Sequence, residues 1–223
     1  MSQEPITIAS LSDQARASVE TIYAAYAGFS WQDPYAYANW LAQTFYYVRE
    51  ATRLLAYAAS RCTHEEEELH HQLLKGVGEE KGHDVMLVND LKRLGYELSQ
   101  FKELPATKAY HQTLYFAIDH SGPAALIGYF LPLEGLAAKK LGAGYEIVSR
   151  CHSPQAGSFL KAHCLLDVTH FDEGLKSLEK LTPLQLEAVA EGVATSSQLY
   201  IGLVQAVQAA AKHPAGQRSP RAA

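Results

Sequence analysis

The sequence Lys161-Ala-His-Cys-Leu-Leu-Asp-Val-Thr-His-Phe171 spaces His163, Asp167 and His170 by four and then three residues. At ~100° per residue in a helix, their side chains fall within an arc of roughly 60° and leave the helix along one stripe. Because unpaired charge is rarely buried, the stripe indicates a metal-ligand face rather than a solvated polar face. The large apolar residues around it are Phe159, Leu160, Leu165, Leu166, Val168, Phe171 and Leu175.

Overall composition narrows the class of protein. The chain has 223 residues, a formal net charge of −5 and a sequence pI of about 6.0. It has no surplus of basic residues to pair with phosphates, which argues against a nucleic-acid partner. Its cysteines, Cys62, Cys151 and Cys164, are odd in number and form no CxxC, as expected in a reducing compartment. With no secretory signal in residues 1–10, these features predict a cytoplasmic protein.

Apolar periodicity of three to four residues predicts an all-α fold of about seven helices. No stretch alternates as a strand would, and no internal repeat is present. Residues 1–212 are predicted to form a single helical domain, and residues 213–223, which lack core-forming side chains, a disordered tail. The predicted helices span residues 11–27, 35–60, 63–94, 105–118, 122–141, 153–178 and 182–212.

The segment 122–141 is the most apolar, and Glu134 is its only charge between Ser121 and Ala138. A membrane span is one interpretation, but Pro132, Glu134 and several glycines interrupt a stretch barely long enough. The favoured interpretation is a buried helix kinked near Pro132. A buried Glu134 needs a cation, either a metal ion or an arginine, for which Arg49 and Arg53 are the candidates.

Glu80-x-x-His83 is a second candidate ligand pair, repeated in form by Asp167-x-x-His170. Helical bundles that bind two metal ions take one Glu from each of two helices and Glu-x-x-His from each of two others. Residues from four predicted helices can supply such a set. It comprises Glu50, Glu80, His83, Glu134, His163, Asp167 and His170, with Glu79 as a rival to Glu80 and Glu50 as the weakest member. Carboxylates and imidazoles without thiolates suit iron, manganese or zinc.

These residues carry a resemblance to a known family. The stretch Glu79-Glu-Lys-Gly-His-Asp with Asp90-Leu-Lys-Arg-Leu-Gly95, the isolated Glu134 and the final His-x-x-x-Asp-x-x-His resemble the heme-oxygenase-like di-iron oxidase and oxygenase superfamily. The resemblance covers roughly residues 15–210. Position by position, the residues that match the family's ligands are His83, Glu134, His163, Asp167 and His170. The family's remaining Glu ligand lies either just before the matching histidine or in the first core helix. Glu80 fits the first of these positions, and Glu50 fits the second only loosely.

The resemblance implies a homodimeric heme-oxygenase-like bundle that binds two iron ions, with manganese as the alternative metal, and takes O2 as cosubstrate. Its substrate would be a small organic molecule, amino-acid-like, fatty-acid or aromatic. Apolar walls from Tyr129, Phe130, Leu131 and Leu133 would exclude water from the reaction. The sequence assigns no catalytic residue beyond the ligands and no membrane partner.

Two alternatives share the fold. One is an iron-storage or iron-sensing bundle that has the same ligands but turns over no substrate. The other is a metal-free relative, such as a thiamin-degrading or quinone-cofactor-forming enzyme. The metal-free alternative is the weaker, because it leaves the coincidence of Glu80, His83, Glu134 and the opening stripe without a purpose.

Overall fold

A computed structural model describes residues 6–212, apart from the side chains of residues 166–168. The predicted disordered tail lies outside the described residues. These residues form nine α-helices and no strand, which confirms the all-α class. The α-helices are α1 (Ile8–Ala25), α2 (Pro34–Arg61), α3 (Glu67–Glu80), α4 (His83–Arg93), α5 (Pro105–Ser121), α6 (Ala125–Lys140), α7 (Gly142–Cys151), α8 (Ser158–Ser177) and α9 (Pro183–Lys212). Short 3-10 turns occupy His64–Glu66, Leu98–Gln100, Pro154–Gly157 and Leu178–Lys180.

Capping residues set the starts of several helices. Asp33 precedes α2, and its Oδ1 accepts hydrogen bonds from the backbone N–H groups of Tyr35 and Ala36, while Pro34 occupies the first turn, where no N–H is needed. Thr63 and Glu66 form the predicted capping box, with the Thr63 N–H donating to Glu66 Oε2 at 2.9 Å. These local signals explain why the predicted starts lie close to the observed ones.

The structure departs from the seven predicted helices in two places. The predicted helix 63–94 is broken between Glu80 and His83, because Gly82 takes a φ of +94°, in the left-handed region. The expectation of one continuous helix there was therefore wrong. A further helix, α7, follows α6 directly, in a part of the chain for which the sequence predicted no helix.

Helix α6 is the buried centre of the bundle and packs against α1, α8 and α9. Most of its residues, from Ala125 to Ala137, are buried, and the helix runs on through Pro132. This confirms the interpretation of the apolar segment as a core helix. None of the helices in the described residues combines the length and apolar character needed to cross a bilayer.

Helix α8 lies between α4 and α6 and contacts both. This arrangement determines the site, since α4 begins with His83, α6 carries Glu134 and α8 carries the stripe that contains His163 and His170. The candidate ligands thus come from three helices that pack on one another.

Candidate metal centre

Three side chains converge where α3 ends, α4 begins and α8 passes. A carboxylate oxygen of Glu80 and one ring nitrogen each of His83 and His163 all lie within 4.8 Å of one another. The His83 and His163 rings are edge to face, with centroids 4.5 Å apart. One carboxylate and two imidazoles at this separation can bind a single first-row transition metal ion.

The break at Gly82 brings Glu80 and His83 together in a way the sequence did not predict. They are not one turn apart on a single helix; Glu80 is the last residue of α3 and His83 the first of α4. His83 Nδ1 nevertheless donates to Glu80 Oε2 at 3.0 Å. This hydrogen bond requires the hydrogen on Nδ1 and leaves the Nε2 lone pair of His83 available for a metal.

A backbone carbonyl fixes the orientation of His163. Its Nδ1 donates to the carbonyl oxygen of Phe159, one turn earlier on α8, at 2.9 Å. The Phe159 ring also lies against the imidazole, at a centroid distance of 4.0 Å. The free nitrogen is therefore Nε2, the arrangement in which protein histidines commonly bind metal. Burial, together with the neighbouring His83, lowers the pKa of His163 to about 4, so the ring is neutral at pH 7.

Glu134 lies beside this cluster, and among the described residues no lysine or arginine is a partner of its carboxylate. Burial, together with the nearby carboxylates of Glu80, Glu79 and Glu173, raises its pKa to about 8. The arginines that the sequence offered as partners are engaged elsewhere, because Arg49 pairs with Glu50 and Arg53 donates to the Arg49 carbonyl. Among the described residues, the charges that shift the pKa of Glu134 are thus all carboxylates.

His170 reaches the same region from the next turns of α8. It lines the cavity into which Glu134 faces, and its charge acts on His163 by lowering the pKa of that imidazole. Gly174, one turn further on, lets α8 pass close over α6: a Cβ there would lie 2.7 Å from Leu131 Cδ2 and 3.6 Å from Glu134 Oε2. The side chain of Asp167 lies outside the described residues, so its predicted role as a ligand stays a prediction.

The structure does not bring Glu50 to the cluster. One of its oxygens accepts a hydrogen bond from the Tyr115 hydroxyl at 3.1 Å, and the other lies 3.3 Å from Arg49 Nε. Glu50 is half-buried and faces α5, where Tyr115 lies. The rival Glu79 pairs with Lys75 at 3.0 Å. We therefore leave Glu50 out of the ligand set that we propose.

Asp90, which belongs to a stretch that carries the family resemblance but has no role predicted from the sequence, joins α4 to the start of α8. Its carboxylate is fully buried and accepts hydrogen bonds from the Phe159 N–H at 2.9 Å and the Ser158 hydroxyl at 2.5 Å. Arg93 completes the contact by donating to Asp90 at 3.0 Å and to the Gln155 carbonyl at 2.7 Å. Since α4 begins with His83 and α8 carries His163, this contact holds the helices of the two imidazoles in register.

A signal for Asp90 was present in the sequence. It follows His83 by seven residues and lies between the buried Leu87 and Leu91, on the apolar side of α4. A carboxylate at such a position is rarely buried without partners. The partners themselves are 68 and 69 residues away in the chain, and only the packed structure identifies them.

Two cavities meet at the candidate ligands. The outer cavity has a volume of about 840 Å³ and is lined by Glu80, Glu134 and His170, with Lys75, Lys176 and Lys180 among its further residues. The inner cavity, of about 70 Å³, is lined by Glu80, Glu134 and His163 and by a mainly apolar and aromatic wall. Tyr129, Phe130 and Leu133 line the inner cavity and Phe130 and Leu131 the outer one, as the sequence predicted.

Solved structures share this fold at low sequence identity. A domain of unknown function with a heme oxygenase-like fold from Shewanella denitrificans superposes with a TM-score of 0.82 at 19% identity, over 98% of this chain and 99% of that one. A TenA homologue from Pseudomonas syringae gives 0.69 at 13% identity, over 92% and 97%. Another from Pyrococcus furiosus gives 0.65 at 15% identity, over 89% and 99%. The fold is therefore heme oxygenase-like.

Sequence comparison is more specific about chemistry. No curated protein shows significant similarity to the chain. A family model described as an iron-containing redox enzyme matches residues 38–201, more than half of the chain, and this range includes every candidate ligand. Together with the fold and the cluster of imidazoles and carboxylates, the match shows that the chain belongs to the family of iron-containing redox enzymes.

Proposed function

We propose that this protein is a non-heme di-iron oxidase or oxygenase that uses O2 to oxidise a small organic substrate. The observation that carries the proposal is the convergence of Glu80, His83 and His163 beside Glu134, a half-buried carboxylate on the apolar helix α6 whose pKa is raised by neighbouring carboxylates. The proposed ligands of the two irons are Glu80, His83, Glu134, His163, Asp167 and His170.

The chemistry of the donor set fits iron. Carboxylate and imidazole ligands without thiolates suit iron(II) and also manganese(II), which is the alternative metal. The described donors include two half-buried carboxylates, Glu80 and Glu134, and the charge of Glu80 raises the pKa of Glu134. Such an arrangement is costly unless a cation binds there, and two divalent ions would supply the missing positive charge.

The protein's own residues prepare the site for this role. Bound iron(II) would supply the electrons that O2 reduction needs. The Phe159 carbonyl and the Glu80 carboxylate hold His163 and His83 with Nε2 available, and Asp90 keeps their helices in register. The aromatic and aliphatic residues of the inner cavity exclude water, so that oxidation is directed to the substrate rather than to solvent.

The outer cavity supports an enzyme rather than an iron-storage or iron-sensing bundle. Its volume of about 840 Å³ lies within the range of ~300–1,000 Å³ typical of small-molecule sites. A storage bundle needs no such space beside its ligands. TenA homologues share the fold, but because one fold serves many functions, this likeness does not support the metal-free alternative. That alternative also leaves the ligand cluster unexplained.

The proposal is tested by reconstituting the purified full-length protein anaerobically with iron(II). We expect two irons per chain by metal analysis and a transient visible absorption after exposure to O2. His163→Ala and Glu134→Ala should each lose iron, since each removes a proposed ligand from the cluster. A change in the decay rate of the transient absorption on adding a candidate substrate would separate an enzyme from a storage protein.

Glu50→Gln is the matched control, because it also removes a half-buried carboxylate near the site but one that contacts Tyr115 and Arg49. It should retain both irons. Full iron binding by His163→Ala and Glu134→Ala would overturn the proposal, and loss of iron in Glu50→Gln would return Glu50 to the ligand set.

A further inference from the structure

The inner and outer cavities both border the candidate ligands, but their linings otherwise differ. Of the residues that the structure describes, the two linings share only Glu80, Phe130 and Glu134. A molecule in either cavity would therefore lie next to the proposed metal ligands. This arrangement raises the question of what each cavity holds.

Size separates the two cavities. At about 70 Å³, the inner cavity is roughly half of the ~150 Å³ in which a dry protein cavity holds benzene or xenon. It is thus too small for a substrate of the amino-acid, fatty-acid or aromatic classes, but it has room for a molecule of two or three atoms. The outer cavity is twelve times larger, at about 840 Å³, and it alone has the volume for an organic substrate.

The lining of the inner cavity favours an apolar occupant. Among the described residues, no lysine or arginine lines it, and its ionisable ligand groups are Glu80, Glu134 and His163. The rest of the wall is aliphatic or aromatic, with three tyrosines and Cys164. Its further members include Trp40, Ala51, Leu136, Ala137 and Leu160.

Two of the three tyrosines, Tyr47 and Tyr200, offer little to a water molecule. The Tyr200 hydroxyl is already hydrogen-bonded to the Tyr26 hydroxyl at 2.9 Å and lies 3.4 Å from that of Tyr47. Tyr26 in turn accepts a hydrogen bond from Trp40 Nε1 at 2.9 Å. A buried water requires two to four polar partners, so these pre-paired hydroxyls leave the wall opposite the carboxylates suited to an apolar guest.

We propose that the inner cavity is the binding site for O2, a small apolar diatomic molecule, and that the outer cavity binds the organic substrate. The inference rests on the proposed function, since O2 is the cosubstrate there. It adds a place for the gas that neither the ligand set nor the family match assigns. Both reactants then lie next to the ligands, and a bound substrate does not block the gas site.

Xenon tests this assignment directly, because it occupies dry apolar cavities without needing iron. Full-length protein under xenon pressure should show one xenon site bordered by Trp40, Ala137 and Leu160, by crystallography or xenon NMR. Ala137→Leu and Ala51→Leu, which fill the cavity from α6 and from α2, should each abolish it. Ala106→Leu places the same side chain at a half-buried alanine that lines neither cavity and should leave xenon binding unchanged.

Trp40 provides a second measurement with O2 itself. The chain has two tryptophans, so in a Trp31→Phe background Trp40 is the sole indole reporter, and it lines the cavity. Quenching of its fluorescence by O2 should fall several-fold in Ala137→Leu and stay unchanged in Ala106→Leu. Leu136→Ala should have the opposite effect, enlarging the cavity until it also admits benzene, a gain that misfolding would not produce.

The inference fails if xenon occupies only the outer cavity, or if Ala137→Leu and Ala51→Leu both leave O2 quenching of Trp40 unchanged. Iron content measured on the same samples keeps this failure distinct from failure of the proposed function. Two bound irons without a xenon site would overturn the gas site alone. A xenon site in a protein that binds no iron would overturn the di-iron proposal and leave a dry gas-binding cavity.

Discussion

At the scale of single residues, burial acts in opposite senses on Glu134 and His163. It raises the pKa of the carboxyl to about 8 and lowers that of the imidazole to about 4, because a low-dielectric interior disfavours either charged form. His163 is thus a neutral ligand at pH 7. Glu134 ionises at neutral pH only at a cost, which a bound cation would remove.

Replacing Glu134 by glutamine should therefore stabilise the metal-free protein in a pH-dependent way. The pKa of the wild-type carboxyl is raised from 4.5 in the unfolded chain to about 8 in the fold. Between pH 4.5 and 8, this carboxyl is ionised in the unfolded chain but still protonated in the fold. The free energy of unfolding of the wild type should therefore fall as the pH rises through this range. Glu134→Gln does not titrate at this position, and urea unfolding should show an advantage of roughly 4–5 kcal/mol at pH 8.5 that nearly vanishes at pH 4.5.

The matched control is Glu79→Gln, which removes a carboxylate of the same outer cavity that is already paired with Lys75. It should show no comparable gain at pH 8.5. An equal advantage for Glu134→Gln at both pH values would mean that the carboxyl is not desolvated in the fold.

At the scale of elements, the break between α3 and α4 shapes the candidate centre. A continuous helix would carry Glu80 and His83 at fixed positions one turn apart. Gly82, with its φ of +94°, instead lets α4 start in a new direction while Glu80 and His83 stay in hydrogen-bond contact. The break thus places His83 next to α8 and His163.

Substituting Gly82 by alanine should destabilise the fold through its backbone alone. Nothing lies within 4 Å of a Cβ built there, so the cost is that of holding an L-residue at positive φ, about 1–2 kcal/mol. Chemical denaturation should show this loss, and iron binding should weaken as α4 shifts relative to α3.

Gly78→Ala is the control, because Gly78 lies inside α3 and has equally open surroundings without a positive φ. Alanine there should stabilise the protein by roughly 0.5–1 kcal/mol, since it favours the helix more than glycine does. If both variants moved stability in the same direction, the break would not depend on the conformation of Gly82.

At the scale of the whole molecule, the close approach of α6 and α9 sets the shape of the core. Gly128 and Gly192 lie at their crossing: a Cβ on Gly192 would be 2.4 Å from the Ala125 carbonyl oxygen, and one on Gly128 2.3 Å from that of Val189. Backbone cannot move aside as a flexible side chain can, so any side chain here forces the helices apart.

Gly192→Ala should accordingly cost about 3 kcal/mol or more, at the upper end of what overpacking a core costs. Gly202→Ala, in the same helix with nothing within 4 Å of its Cβ, should instead stabilise by roughly 0.5–1 kcal/mol. Thermal unfolding of the two variants gives the comparison. A Gly192→Ala protein as stable as wild type would contradict the close packing of α6 on α9.

The homodimer implied by the resemblance stays a prediction.

The sequence by itself determined the all-α class, the start of α2 at Asp33-Pro34, the buried place of the apolar segment and the family. It also indicated Glu80, His83, Glu134, His163 and His170 as candidate ligands. Each is a polar group that either recurs at a helical spacing or lies in an apolar segment, where burying it without a partner is costly. Such signals are local: they depend on the period of a helix and on the cost of burying charge, and both can be read along the chain.

Only the tertiary structure decided which of these groups meet. It turned Glu50 towards Tyr115 and Arg49, broke the helix at Gly82, revealed the partners of Asp90 on α8 and enclosed two cavities of unequal size. Contacts between residues more than sixty positions apart depend on how helices cross and on which faces they present. Helical periodicity specifies a helix's buried face but not its neighbour, and so the ligand set needed the packed fold.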